Sequence, residues 1–314
     1  MRNKIPGPAS KRATEPVRSG KWKRELPLHL MFAPALLLIL IFSYIPMFGI
    51  VIAFQEFSPA KGVARSEWVG LDNFRYVMEL PGVPRILWNT VSIAVMKIAA
   101  GTVVPIVVSL LLNELRKQWI KRGIQTLIYL PHFLSWVVLS GMLIDFLSLK
   151  GIVNTAIAGI GLKPVFFMGD NKWFPYVLVA SDVWKEFGFS TIVYLTALAA
   201  INPSLYEAAV MDGANRRQRM LHITLPGMMP IIVLMMTLSL GSVLNAGFDQ
   251  VFNLYSPIVY ESGDIIDTFV YRIGMIDSQY GVATAVGLMK SLVSFVLISA
   301  SYLLAYRLAN YRIF

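Results

Sequence analysis

The segment Glu207-Ala-Ala-Val-Met-Asp212-Gly213-Ala214, which continues to Leu225-Pro226, lies between two long apolar runs, 174–200 and 227–248. The segment is polar and rich in residues that favour helices. Each flanking run reaches the roughly 20 apolar residues that a helix needs to cross the hydrocarbon core of a membrane. A polar helical loop between two such runs predicts a helical protein that crosses the membrane several times.

The composition agrees with this prediction, because 56% of the 314 residues are hydrophobic and only 15% are charged. Helices are expected because lipid offers no hydrogen-bond partner to an unpaired backbone group. We expect a kink at each of four prolines, Pro34, Pro46, Pro105 and Pro131. The sequence therefore predicts an all-α polytopic membrane protein with six spans, at about 29–54, 88–113, 124–148, 174–200, 227–248 and 282–307.

The basic residues predict the orientation of these spans. Of the 28 Lys and Arg residues, 17 fall on the side that holds both termini and the 201–226 loop, and eight fall on the other side. Positive charge is enriched in cytoplasmic loops, so both termini and the 201–226 loop are expected to be cytoplasmic. Residues 1–28 would form a basic cytoplasmic tail and 29–314 a transmembrane domain. The positive charge suits anionic lipid rather than nucleic acid.

Motifs for enzyme chemistry are missing from the sequence. The histidines His29, His132 and His222 lie far apart, and the chain has no cysteine, so we expect neither a metal site nor thiol chemistry. The sequence also lacks a phosphate-binding loop and the nucleophile motif of serine hydrolases. We therefore predict no catalytic residue and no cofactor bound by this chain. If nucleotide hydrolysis drives the protein, another chain supplies it.

The 201–226 loop is expected to form two short helices around Gly213. Two starts are possible for the first helix: Asn202 as cap with Pro203 at the first position, or a capping box from Ser204 to Glu207. Gly213 would allow the bend after the first helix.

The second helix of the loop is predicted over residues 215–224. We expect Pro226 to interrupt the chain before the fifth span, because proline cannot donate a backbone hydrogen bond.

The paired alanines after Glu207, the Asp212-Gly213-Ala214 triplet and the Ile223-x-Leu225-Pro226 ending resemble the EAA motif of membrane subunits of binding-protein-dependent ABC importers. Met220 departs from the pattern, because the family usually has an aromatic residue there. Methionine keeps an apolar side chain at this position.

Four further stretches are similar to sugar-importer permeases of the MalF-like kind. Trp68-Val-Gly-Leu-Asp-Asn-Phe74 is typical of these permeases in general. Leu130-Pro-His-Phe-Leu-Ser-Trp136, Gly247-Phe-Asp-Gln250 and Asp264-x-x-Asp267-Thr268 resemble a narrower branch that imports poly- and oligosaccharides, including uronate-rich ones.

The resemblance implies a type I importer in a bacterial cytoplasmic membrane. A second permease subunit would face this chain, two ATPase subunits would bind ATP and Mg²⁺, and an extracytoplasmic binding protein would deliver the sugar. The resemblance assigns the contact with the ATPase to nine residues of the loop: Glu207, Ala208, Ala209, Asp212, Gly213, Ala214, Met220, Leu221 and Pro226.

Charged residues inside the spans predict the location of the substrate path. A charge at the centre of a bilayer costs about 2.5–3.5 kcal/mol on insertion scales, so each such residue needs a reason. These residues are Lys97, Asp145, Asp182, Lys185, Glu186 and Lys290. One reason is mutual neutralisation between packed helices. The other is a wet cavity that binds sugar, for which the candidates are Asp182, Trp184, Lys185, Glu186, Asn245, Phe248 and Lys290.

Two alternatives remain open from the sequence. The chain could be a permease of the same class for a non-sugar solute such as a peptide or polyamine. It could also be a stand-alone secondary carrier or membrane enzyme, although such a protein has no partner for the loop.

Overall fold

The structure is a computed structural model that describes residues 19–241 and 243–309, with side chains for 25–241 and 243–303. The chain divides into two compact units, with the boundary after Val51. Residues 1–18 of the predicted basic tail lie outside the described residues, as do 310–314 at the other end. No helix end marks the predicted boundary at residue 28, because the first helix runs through it.

The first unit consists of one apolar helical segment. Helix α1 spans Ser19–Ile39, a π-helical turn follows over Leu40–Tyr44, and a 3-10 helix spans Ile45–Phe54, within which the second unit begins. The wide π turn directly precedes Pro46, where the proline ring would clash with the carbonyl group four residues earlier in a regular α-helix. The side chains of residues 25–48 are exposed, as expected for a helix in contact with lipid.

The second unit is built almost entirely from helices. A short antiparallel pair, β1 (Gln55–Glu56) and β2 (Glu67–Trp68), places Gln55 opposite Trp68 and Glu56 opposite Glu67. The α-helices are α2 (Gly62–Arg65), α3 (Asp72–Glu79), α4 (Val83–Glu114), α5 (Gln118–Tyr129), α6 (Trp136–Leu147), α7 (Ile152–Gly159), α8 (Phe174–Ala199), α9 (Pro203–Met211), α10 (Arg216–Arg219), α11 (Leu225–Gly241), α12 (Phe248–Leu254), α13 (Tyr260–Gly263), α14 (Ile266–Tyr271) and α15 (Tyr280–Ala309).

The core of this unit forms where α4 packs along α8, and α11 packs against both α8 and α15. Its largest apolar cluster joins α4 and α8 to α12 through buried side chains such as Ile93, Phe174, Leu178 and Val251. Gly188 allows α8 to approach α5 closely, since an added Cβ would lie 1.9 Å from the backbone oxygen of Ile128. Small residues at such crossings are typical of membrane helices.

Five described helices are long and apolar enough to cross a membrane, or six if α8 and α9, which are bent by 65° at their junction, count as one span. The first predicted span lies within the segment Glu25–Phe54, and the second lies within Val83–Glu114. The sixth predicted span lies within Tyr280–Leu303 as far as Leu303. The prediction of an all-α protein with about six membrane helices is thus confirmed.

The prediction of one continuous third span over 124–148 is wrong. The helix α5 ends at Tyr129, a 3-10 turn spans Leu130–Phe133, and α6 begins only at Trp136. Pro131 lacks the N–H that would continue α5, and the Ser135 hydroxyl accepts a hydrogen bond from the Val138 N–H at 3.3 Å and so caps α6. The apolar helical segment in this region is Trp136–Gly159 instead.

The fifth span also differs from the predicted 227–248. The apolar helical segment is Arg216–Gly241, and the chain is non-helical over residues 245–247 before α12 begins. Gly247 has a φ of +94°, a left-handed conformation that glycine adopts readily and that ends a helix. This break places Asn245 and Phe248 at a helix interruption inside the bundle.

Candidate functional site

The loop between α8 and α11 begins as one of the two alternatives predicts. Asn202 is the cap, its side-chain oxygen accepts the Ser204 N–H at 3.0 Å, and Pro203 occupies the first position of α9. The capping box from Ser204 to Glu207 does not form, because Ser204 lies inside α9.

The bend after α9 has the Schellman geometry. The Gly213 N–H bonds to Val210 O at 3.0 Å, the Ala214 N–H bonds to Ala209 O at 2.8 Å, and Gly213 has a φ of +78°. Asn215 then starts α10 through a reciprocal capping box with Gln218. Each end of the bend is therefore fixed by local hydrogen bonds.

The prediction that Pro226 interrupts the chain is wrong. A π-helical turn over Met220–Thr224 joins α10 directly to α11, and its last bond runs from Leu225 N–H to Met220 O. The wider turn accommodates the proline ring and the carbonyl group that proline leaves without a donor. The part of the loop that begins at Arg216 thus forms one continuous helical element with the fifth span, as far as Gly241.

Most of the loop residues that the resemblance assigns to the ATPase contact lie at the surface. Met220 and Leu221 expose 38% and 45% of their surface, which leaves apolar groups uncovered. Glu207, Ala208, Asp212, Gly213 and Pro226 are exposed, and Ala209 and Ala214 are half-buried. A hollow of about 400 Å³ opens beside Gly213.

Three exposed apolar residues of α9 were not among the predicted contact residues: Leu205, Val210 and Met211, of which Met211 is 87% exposed. Their apolar character in an otherwise polar loop was the available signal. One contact joins two parts of the loop, and another joins the loop to α4. The Tyr206 and Thr224 hydroxyl groups share a hydrogen bond of 3.0 Å, and Arg216 pairs with Glu114 of α4 at 3.7 Å.

Ion pairs form at three intramembrane lysines, Lys97, Lys185 and Lys290, and Lys97 has the most partners. Its ammonium group lies 3.3 Å from Asp182 and donates to Ala246 O at 2.7 Å and to the side-chain oxygen of Gln250. Gln250 is fully buried and donates in turn to Leu178 O and to Ser181 Oγ, both at 2.7 Å. This network joins α4, α8 and α12 at the break in the fifth span.

A cavity of about 240 Å³ lies beside Lys97. Of the predicted cavity residues, Asp182 and Asn245 line it. Lys290 reaches this region from α15, donating to Asn245 Oδ1 at 2.8 Å and to Asp267 at 2.5 Å.

Phe248 lies in a group of aromatic rings that continues from the break in the fifth span. Its ring stacks on Phe252 at 5.2 Å, and Tyr271 contacts both rings, at 5.6 Å from Phe248 and 4.8 Å from Phe252. Phe252 is 37% exposed, so the group has an accessible face.

The structure places the remaining three candidates elsewhere on α8. Lys185 donates to His132 O at 2.7 Å and to Glu186 at 3.1 Å, and His132 Nδ1 lies 2.7 Å from Glu186. These contacts connect α8 to the 3-10 turn that follows α5. Trp184 is 47% exposed. None of the three is among the residues that line the cavity beside Lys97.

Gln250 and Asp267 were not predicted as polar partners in this region, and Lys97 was predicted only as a charge in need of an explanation. Gln250 and Asp267 belong to the quoted motifs Gly247–Gln250 and Asp264–Thr268, which was the available signal.

The segment after α12 is held by a buried acid. Asp264 is 3% exposed and binds Arg272 through two contacts, at 3.2 and 2.5 Å, and Thr268 donates to it at 2.8 Å. Burial, together with its neighbour Tyr260, raises the pKa of Tyr255 to about 12, so this phenol stays neutral at physiological pH. These contacts fix the position of α14, which carries Asp267 and Tyr271.

Two proteins of Bacillus subtilis (strain 168) are similar to this chain over most of their length. Protein LplB is 42% identical over 283 residues, which cover 90% of this chain and 89% of LplB. The polygalacturonan/rhamnogalacturonan transport system permease protein YteP is 41% identical over 284 residues, which cover 90% of this chain and 87% of YteP.

Two solved structures have the same fold. One is a bacterial ABC transporter involved in the import of the acidic polysaccharide alginate, with a TM-score of 0.85 and 36% identity over 92% of this chain and 98% of the other. The second is a bacterial alginate ABC transporter in complex with an alginate pentasaccharide-bound periplasmic protein, with a TM-score of 0.84 and 35% identity over 92% of this chain and 96% of the other.

The family model described as the binding-protein-dependent transport system inner membrane component matches residues 98–310. That range contains the loop after α8, the Lys97 network's partners on α8 and α12, and the aromatic group. This chain therefore belongs to the family of inner-membrane components of binding-protein-dependent transport systems.

Proposed function

We propose that this inner-membrane component is one of two permease subunits of an ATP-driven importer that carries a uronate-containing oligo- or polysaccharide. The observation that carries the proposal is that two proteins similar to this chain transport acidic polysaccharides. YteP is a permease for polygalacturonan and rhamnogalacturonan, and the solved transporter imports alginate. These polysaccharides contain uronate sugars, which are negatively charged at neutral pH.

The polar region between α4, α8 and α15 has a suitable cation for such a sugar. An ammonium group has three N–H donors. Those of Lys97 have three acceptors, namely Asp182, Ala246 O and Gln250, whereas in the described part of the chain Lys290 donates to two, Asn245 and Asp267. Among the residues that the structure describes, Lys290 therefore keeps one donor for a sugar carboxylate or hydroxyl group, and Lys97 serves to hold the break in the fifth span.

Aromatic rings beside this cation would contact the sugar ring. Phe248, Phe252 and Tyr271 form a continuous group, and small-molecule sites typically combine such apolar faces with a few polar groups. Asn245 connects Lys290 to the cavity, because it lines the cavity and accepts a hydrogen bond from Lys290.

Both termini and the loop from Asn202 to Thr224 would lie in the cytoplasm, where the loop would bind the ATPase subunit. The exposed Glu207 offers a charge, and Met220 and Leu221 offer apolar side chains to a groove on that subunit. ATP and Mg²⁺ would be held by the ATPase subunits, and this chain would contribute no hydrolytic residue. Closure of the ATPase pair would move the loop, and the helices joined to it would change the access to the cavity.

The substrate is tested with the complete importer in proteoliposomes. The two permease subunits, two ATPase subunits and the binding protein are reconstituted, and uptake of labelled oligogalacturonate is compared with that of its methyl-esterified, neutral form. We expect ATP-dependent uptake of the acidic form and little uptake of the neutral form. Equal uptake of both forms would contradict the proposed role of the charge.

The loop is tested with a pull-down of the co-expressed ATPase subunit. Glu207→Ala and Gly213→Pro are expected to reduce the captured ATPase, because the first removes the charge and the second cannot adopt a positive φ. Glu67→Ala, an exposed acid on β2, is the matched control. Normal capture and transport by both loop variants would show that the loop does not bind the ATPase.

A further inference from the structure

A groove of about 450 Å³ lies outside the polar region described above, between the β1–β2 pair, α3 and the first turn of α15. Gln55, Glu56, Asp72, Asn73, Tyr76 and Gly281 contribute to its walls. By the predicted orientation, this groove opens on the extracytoplasmic side, just beyond the first span.

An unsatisfied acceptor lies in the wall of the groove. Gln55 is only 7% exposed, and its amide nitrogen donates to Val63 O at 3.0 Å, which fixes the orientation of the amide. Its oxygen Oε1 is buried and has no hydrogen-bond partner. Buried polar atoms in folded proteins almost always have a partner, so this oxygen can accept a hydrogen bond from water or from another molecule.

The floor of the groove is closely packed. An added Cβ at Gly281 would lie 2.4 Å from the backbone oxygen of Gln55 and 2.8 Å from Asn73 Nδ2. Asn73 in turn donates to Ala53 O at 2.9 Å and to Gln55 O at 3.0 Å. Substitution at Gly281 would therefore displace the backbone that carries the unsatisfied oxygen.

Backbone strain occurs at the rim of the same groove. Ser278 has a φ of 57°, and no other non-glycine residue among the described part of the chain has a positive φ. Hydrogen bonds on either side hold this corner, from Asp277 N–H to Arg272 O at 3.0 Å and from Gln279 N–H to Ile273 O at 2.9 Å. Strained residues of this kind cluster at binding sites, and Ser278 lines the same groove as Gln55.

The negative charge of the groove favours a cationic ligand. Glu56 and Asp72 are both exposed, and no Lys, Arg or His residue is among its lining residues. Arg75 pairs with Asp72 at 3.2 Å from one turn further along α3, but both side chains are more than 65% exposed, so this pair is weak. A uronate sugar has the same sign of charge as the groove and would be repelled, whereas a cationic group would be attracted.

We propose that the groove receives a lysine or arginine side chain of the extracytoplasmic binding protein. The cation would lie between Glu56 and Asp72 and donate a hydrogen bond to Gln55 Oε1. A groove of this volume fits an extended side chain rather than a bare ion. This inference rests on the proposed function, since it requires that a binding protein delivers the substrate to this chain.

The first test measures ATP hydrolysis by the complete importer in nanodiscs as the binding protein is titrated. The double variant Glu56→Gln/Asp72→Asn is expected to raise the half-saturating concentration of binding protein about tenfold, with basal and maximal rates unchanged. Raising the salt concentration is expected to weaken binding to the wild type and to have little effect on this variant. Glu67→Gln, which removes the acid opposite Glu56 on β2, is the matched control and is expected to behave as the wild type.

The outcome separates this inference from the proposed function. Unchanged half-saturation in the double variant, or an equal rise in Glu67→Gln, overturns the cation-binding groove while uptake of the acidic sugar still stands. Gln55→Leu tests the buried oxygen and is expected to raise half-saturation further. If it fails to assemble, the double variant decides the question alone, because its substitutions lie at exposed positions.

A cross-linking experiment identifies the occupant. The chain has no cysteine, so Asp72→Cys introduces a single thiol. A reagent that joins a thiol to an amine is expected to link this thiol to one lysine of the binding protein, found by mass spectrometry, and Glu67→Cys is expected to give little of that product. A link to the second permease subunit instead would overturn the assignment of the partner.

Discussion

Lys97 and Lys290 occupy the same polar region and differ less in exposure than in their partners. Their side chains are 9% and 15% exposed, respectively. Lys97 has an acceptor for each of its donors, including a backbone carbonyl group, whereas Lys290 bonds to two side chains. The role of an intramembrane lysine is therefore indicated by the number of acceptors around its ammonium group. Burial alone does not separate a structural lysine from one that can bind substrate.

The largest effect is expected from Lys97→Met. The substitution leaves Asp182, Ala246 O and Gln250 without their donor, and breaking a buried ion pair costs about 3–5 kcal/mol. We expect a marked loss of assembled complex, measured as yield and melting temperature in detergent. Lys97→Met/Asp182→Leu is expected to recover part of this loss, because no unpaired charge remains. If Lys97→Met assembles as well as the wild type, Lys97 does not have the structural role that distinguishes it from Lys290.

Gln250→Leu is expected to be destabilising but milder. It keeps the volume of the side chain and removes one acceptor of Lys97 and the bonds to Leu178 O and Ser181, for a cost of about 1–3 kcal/mol. The melting temperature should fall between those of the wild type and Lys97→Met. A fall as large as that of Lys97→Met would show that Gln250, not the lysine, holds the break in the fifth span.

Lys290→Gln is expected to affect transport rather than assembly. Glutamine can still bond to Asn245 and Asp267, but it cannot pair with a sugar carboxylate. A hydrogen bond to a charged group is worth about 1.5–3 kcal/mol, so uptake of oligogalacturonate should fall about tenfold or more. Lys172→Gln, an exposed lysine before α8, is the control. Equal losses of uptake and of assembled complex would place Lys290 with Lys97 as a structural residue.

The smallest effect, and one of opposite sign, is expected from Asp267→Asn. Asparagine still accepts a hydrogen bond from Lys290, but it no longer competes with a sugar carboxylate as an anion. The half-saturating concentration of the acidic sugar should therefore fall, by about twofold. An increase would mean that Asp267 orients Lys290 rather than competing for it.

The sequence predicted the class of fold well because lipid imposes long apolar helices, which are visible as runs of residues. It could not predict where the third and fifth spans break. Pro131 and Ser135 together end one helix and start the next, whereas the helix continues through Pro226 because a π turn precedes it. The outcome depends on whether the neighbouring turn widens, and local sequence does not specify that.

The candidate site was predicted less completely than the fold. Lys97 was visible as a charge in an apolar run, but its partners lie 85, 149 and 153 residues away in the chain. Asp182, Lys185 and Glu186 fit on one helical face by spacing, yet the first contacts α4 while the others contact the turn after α5. Spacing within a helix predicts which residues are neighbours on it, and tertiary packing selects which partner each one meets.

The π turn at Met220–Thr224 contains one residue more than an α-helical turn would need. An α-helix advances by about 100° per residue, so this extra residue sets the rotational phase between the exposed apolar groups of the loop and the membrane-facing side of α11. Deleting one residue of the turn would preserve every side chain at both ends while rotating one end against the other by roughly a quarter of a revolution. In the proposed importer, the direction in which the loop moves the bundle would therefore depend on a single inserted residue.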